Sequence, residues 1–250
     1  MKRFLLLILL IVTFLQVTEA QLWKLKRIEF AGGLGTTTFF GDVGGYSHGQ
    51  NWAGLKDITF LQTRFNVNFN VKYRIIQDVN LRISLTYGIL RATDERGSNE
   101  GRNFDATTTI FEPALIGEYY FIRNSAENSY LFNKGMGKDI IDLLESLDFY
   151  VFGGIGGLSY SVAANEVLAN NALFEPGGFS AVVPMGLGGA FSAFPSMSLG
   201  AELGFRYSIS DNLDGYSNPQ YSSTNDVYYF FNLTVTYRLK IRKNVFPSFR

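Results

Sequence analysis

Arg64-Phe65-Asn66-Val67-Asn68-Phe69-Asn70-Val71-Lys72-Tyr73-Arg74 alternates polar and apolar side chains without a break. A strand sends successive side chains to opposite faces. This stretch is therefore a strand with one oily face, Phe65 to Tyr73, and one strongly polar face. The same period recurs downstream. Leu81, Ile83, Leu85, Tyr87 and Ile89 oppose Asn80, Arg82, Ser84, Thr86 and Gly88. Leu199, Ala201, Leu203, Phe205, Tyr207 and Ile209 oppose a set holding Glu202 and Arg206, and Tyr229 to Ile241 oppose a set holding Asn232, Thr234, Thr236, Arg238 and Lys240. Eight such segments follow one another, at about 27–39, 61–75, 79–91, 107–121, 149–160, 179–193, 198–210 and 228–241. The first, fifth and sixth are rich in Gly and Ala, so alternation says less about their faces.

Length and address decide where the oily face points. Strands of globular sheets run about five or six residues, whereas a tilted strand crossing a bilayer needs about nine to eleven. Lys2 and Arg3 precede an apolar run from Phe4 to Val12, and Thr18-Glu19-Ala20 closes it with small residues. That is the pattern of a secretory signal over residues 1–20, with a mature domain over 21–250. Export and eight long alternating segments predict an all-β fold, an eight-stranded antiparallel up-and-down transmembrane β-barrel, closed because an open edge in hydrocarbon would leave backbone groups unpaired. Outer-membrane lipids are then its surroundings. Composition agrees: 46% hydrophobic with a mean hydropathy of only +0.05 is what two interleaved opposite faces average to.

The links fit the same plan. Those at about 40–60, 92–106, 161–178 and 211–227 are long and polar, as extracellular loops are, while Ile76-Gln77-Asp78 and Phe194-Pro195-Ser196-Met197 are tight. The second turn, 122–148, breaks the pattern. Within it Ile140, Ile141, Leu144 and Leu147 share a helical face, which predicts a short periplasmic helix over 139–147. That helix would pack on the barrel rim or meet a partner. The tail is the second periplasmic handle: Lys240, Arg242, Lys243 and Arg250 occur there with no acid. It meets either a partner or lipid headgroups.

The chemistry is sparse. There is no Cys, one His, and 22 basic against 22 acidic residues, which excludes thiolate chemistry and gives no attraction to nucleic acid. Arg64, Lys72, Arg74, Arg82, Glu112, Glu118, Glu202 and Arg206 project into the expected lumen. Opposite charges there should pair as a plug, because an isolated buried ion is costly. His48, near Asp42 and Ser47, is the single catalytic handle for a lipid-modifying barrel, and an exposed loop histidine is the simpler account of it. Gly153-Gly154-Ile155-Gly156-Gly157 lacks the spacing and lysine of a phosphate loop. Asp211-Asn212-Leu213-Asp214-Gly215 has calcium-like composition without the spacing, and the sequon at Asn232 falls inside a strand. No catalytic, cofactor or metal site is expected.

Two segments go beyond generic barrel pattern: Gly35 to Gly45, GTTTFFGDVGG, and Leu199 to Tyr221, LGAELGFRYSISDNLDGYSNPQY. With Pro184-Met185-Gly186-Leu187-Gly188 they resemble the PorG-like outer-membrane barrels of Bacteroidetes over essentially the mature chain. The resemblance implies a non-enzymatic accessory of the type IX secretion system, associated with a periplasmic ring of PorK- and PorN-like subunits and, in some bacteria, with gliding. Without it, a freestanding structural or adhesin-like barrel is the alternative.

Overall fold

The computed structural model describes residues 27–44, 62–95, 99–123, 147–194, 196–218 and 225–239. Eight strands follow in chain order: β1 (Ile28–Phe40), β2 (Arg64–Ile76), β3 (Val79–Thr93), β4 (Asp105–Ile122), β5 (Leu147–Ala164), β6 (Gly177–Phe194), β7 (Met197–Ser208) and β8 (Val227–Arg238). Each pairs antiparallel with the next, and β8 returns to β1 through Glu29↔Arg238 to Phe40↔Val227, closing the barrel. A one-turn helix, α1 (Glu166–Ala169), and a 3-10 turn, Glu100–Arg102, are the other regular elements among the described residues.

The alternation acts as expected on the strands where it was clearest. Phe65, Phe69, Ile83, Tyr87, Leu203 and Leu233 all face outward and are exposed, while Asn66, Asn70, Arg82, Thr86, Glu202 and Asn232 are buried. Register carries that facing to the Gly-rich strands. Leu34 pairs with Val67 and Leu233, so the even residues of β1 face out and Glu29, Ala31, Gly33 and Thr37 face in. The outer wall is consequently apolar all round, with Leu34 at 66%, Ile155 at 70% and Phe179 at 75% exposure. No helix among the described residues is long and apolar enough to cross a membrane, which says nothing of strands.

The two ends differ. At the base, tight turns join β2 to β3 and β6 to β7, and the three register irregularities, at Arg74/Ile76, Tyr120/Ile122 and Ser192/Phe194, all lie there. At the mouth, β4, β5 and β6 reach 18 residues, beyond the 12 of β7 and β8. Leu147 corrects one expectation. It is not the end of a helix but the first residue of β5, already paired with Phe191. The remainder of the expected helix, with Ile140, Ile141 and Leu144, lies outside the described residues, as do the signal segment, His48, Lys240, Arg242 and Lys243.

Candidate functional site: a filled lumen under a clasped mouth

Strand parity drives ionic side chains inward, and closure then fixes which of them meet. In the lower lumen Lys72 (β2), Arg82 (β3), Glu118 (β4) and Glu202 (β7) form one neutral cluster. Lys72 Nζ lies 2.9 Å from Glu118, and Arg82 Nη1 lies 3.0 Å from Glu118 and 2.7 Å from Glu202. Two tyrosines complete it, Tyr150 donating to Glu202 at 2.5 Å and Tyr120 to Glu118 at 3.0 Å. The Arg82 guanidinium also sits 4.7 Å from the centre of the Phe152 ring. Buried charges are tolerable when paired, and each charge here has an opposite charge within salt-bridge distance, although Arg82 Nε is buried without a hydrogen-bond partner.

A second pair lies nearer the mouth. Arg206 Nε is 3.5 Å from Glu112, Tyr228 donates to Glu112 at 2.6 Å, and Phe230 stacks under the Arg206 guanidinium at 4.4 Å. A third set closes the base, where Arg238 reaches Glu29 at 3.4 Å, Asp148 at 3.3 Å and Ser192 at 3.1 Å. The structure thus brings Lys72, Arg82, Glu118 and Glu202 together and sets Glu112 with Arg206. Arg64 is placed apart, half-buried at the start of β2 on the mouth side, donating to the Thr63 carbonyl at 2.8 Å. A residue at the end of a strand has no strand beyond it to enclose its long side chain, so inward parity alone does not bury it.

Sequence reasoning missed Glu29, Asp148 and the three tyrosines. Glu29 stands on a Gly-rich strand and Asp148 at a strand start, where no alternation marks the face. Tyr120, Tyr150 and Tyr228 point inward and are buried. Glycine makes their room: a Cβ on Gly188 would stand 2.4 Å from the Tyr150 ring, and one on Gly204 would meet the Arg206 guanidinium. The sequon residue Asn232 is likewise buried in the lumen, 4% exposed.

Above these charges the lumen turns apolar and continues into the loops. Val43, Phe104, Leu168 and Leu213, one from each of the four long links, are buried in a single cluster with Phe39, Leu90, Ile110, Tyr228 and Phe230. Leu168 is carried there by α1, whose first turn is capped by the Asn165 side chain accepting from the Leu168 N–H at 3.0 Å. Buried carboxylates bind the loops to one another through backbone amides. Asp94 accepts from the N–H of Gly44 at 2.9 Å and of Phe104 at 3.2 Å, and holds Arg102 at 2.8 Å. Asp214 accepts from Val43 at 2.8 Å and from Tyr216 at 3.0 Å, and Asp226 from Leu213 at 2.7 Å. Gly44 and Gly215 sit at φ +76 and +78, a backbone region where a Cβ is strained, so the turns that aim these amides demand glycine. Among the described residues no group of three His, Asp or Glu side chains converges as a metal site.

The Val43–Asp214 bond joins GTTTFFGDVGG to the SDNLDG loop opening, the two segments that set this sequence apart from a generic barrel. Likenesses to solved structures are confined to the fold. Neisserial surface protein A is 12% identical over 85% of this chain and 96% of its own, at a TM-score of 0.46. The outer membrane protein OprG of Pseudomonas aeruginosa is 11% identical over 86% and 96%, at 0.44, and the attachment invasion locus protein Ail of Yersinia pestis 12% over 86% and 99%, at 0.41. The fold assignment rests on this chain's own strand register, not on these values. No curated protein matches the chain. Residues 2–242 match one family from end to end, and the chain belongs to it: DUF6089, described as a domain of unknown function.

Proposed function

We propose that this chain is an exported outer-membrane barrel that performs no catalysis and anchors or assembles a protein-secretion complex of the type IX kind through contacts at its periplasmic rim. The observation that carries this reading is the apolar wall around a lumen filled by paired charges, with Arg82 and Glu118 each 1% exposed and Glu112 fully buried. A wall of that kind suits lipid, and a lumen of that kind has no space for substrate or solute flow. The rims are then the surfaces left for specific contacts. The PorG-like resemblance supports the secretion role. The segment 139–146 and the basic tail, with Lys240, Arg242 and Lys243, supply candidate handles on the periplasmic side.

Crosslinking in cells followed by purification from detergent-solubilised outer membranes tests it. Stoichiometric recovery of periplasmic ring subunits is expected, and truncation after Arg242 should keep membrane insertion while losing them. A barrel that purifies alone would instead favour the freestanding adhesin-like reading, for which the exposed Val167 and Leu173 of the β5–β6 loop offer a contact surface. A chain that fractionates as soluble overturns both. His48→Ala is expected to leave the lipid A profile unchanged.

A further inference from the structure

The mouth holds two buried carboxylates that the anchoring role does not use. Asp214 and Asp226 are each 1% exposed. Both oxygens of Asp214 accept backbone N–H groups, from Val43 in the first loop and Tyr216 in the fourth. Asp226 binds Leu213 through Oδ2, while its Oδ1 is buried with no hydrogen-bond partner. The first loop lies directly on that oxygen, since a Cβ on Gly41 would come within 2.5 Å of it. The nearby charges are mostly of the same sign: Asp42 from the first loop, Asp94 from the second, Glu175 from the third and Asp211 from the fourth, with the neutral phenols of Tyr160 and Tyr216 beside them. Among the described residues Arg102 is a cation that faces them. Its guanidinium is engaged by Asp94 at 2.8 and 3.0 Å and by the Asp42 carbonyl at 2.7 Å.

Asp226 is held on the N–H of the residue that precedes Asp214, and two buried carboxylates that act on each other cannot both ionise cheaply. We propose that the mouth is a proton-operated clasp: a proton held on the Asp214–Asp226 pair keeps the first and fourth loops locked together, and its loss lets them part. Burial pushes the Asp214 carboxyl up to about 7, and burial with the Asp214 charge beside it pushes Asp226 well above the usual carboxylate range. The sign follows from linkage. A carboxyl whose pKa is raised in the closed form contributes fully below its ordinary pKa and is lost as pH rises through the raised value. The clasp is therefore tight in mildly acidic surroundings and loosens on the alkaline side. The clasp requires the closed barrel and its loops and is independent of the secretion role.

Hydrogen–deuterium exchange on the full-length barrel in detergent tests it, with rates corrected for the intrinsic pH dependence of amide exchange. Protection at residues 41–44 and 213–216 should fall about tenfold between about pH 6 and about pH 8.5, with strand amides unchanged. Asp226→Asn should keep protection high at the alkaline end. If that variant does not fold, Asp211→Asn removes one neighbouring charge and should move the transition to lower pH. Protection independent of pH, or an unaltered transition in a folded variant, would overturn the clasp. Protection restored at alkaline pH by millimolar calcium would also overturn it, assigning the pair to a cation.

Discussion

Arg82 shows how much a single side chain carries in this barrel. It bonds Glu118 and Glu202 at once and is 1% exposed. Arg82→Ala would strand two carboxylates away from water, leaving Lys72 to serve both. A loss of about 3–5 kcal/mol is expected, since breaking a buried pair costs far more than replacing it whole. Denaturant unfolding of the barrel in vesicles measures it, and a loss below about 1 kcal/mol would mean that water reaches the cluster. Tyr228→Phe is the milder companion. It removes one hydroxyl from Glu112 while Arg206 stays, so about 1–3 kcal/mol is expected in the same assay. These charges were legible from parity in Lys72, Arg82, Glu118 and Glu202, because a strand's facing is local. Which acid each base would meet was not legible, because Arg82 and Glu202 lie 120 residues apart.

At the scale of the element, β8 pairs with β1 and β7 and presents Phe231, Leu233 and Val235 outward near its middle. Leu233→Arg would set a charge on the apolar belt. A penalty of about 2–4 kcal/mol is expected at the midplane, and substitution of Tyr237 nearer the strand end should cost less. Folding yield into vesicles, read by heat-modifiable gel migration, separates the two positions, and equal effects would place the belt in water. The strands β2, β3, β7 and β8 are plain in the sequence because Val, Leu, Ile, Phe and Tyr alternate there with amides and charges. For β5 and β6 glycine on both faces blurs the period. Gly188 and Gly186 of β6 leave room for Tyr150 and Phe152, a requirement visible only once the facing strands are in place. Leu147 misled for a related reason. Its apolar spacing fits a helical face, but pairing with Phe191 offers it a ladder position at the start of β5.

For the whole molecule, charge and packing divide the lumen into two layers, ion pairs toward the base and an apolar core continuing into the mouth loops. A barrel of eight strands filled in this way is expected to give no steady conductance steps in a planar bilayer, and reproducible open-channel steps from the purified protein would contradict the filled lumen. Alternation, strand length and link length determined from the sequence alone that the chain is an eight-stranded antiparallel barrel with an oily outside. That information is local, because each residue's facing depends on its neighbours along the chain. Only the tertiary structure decided the rest. Closure sets one register for all eight strands, and that register chooses the partner of every inward charge. It also brings Val43 to Asp214 across 171 residues, joining the first loop to the fourth. Contacts between residues so far apart in sequence leave no period to read.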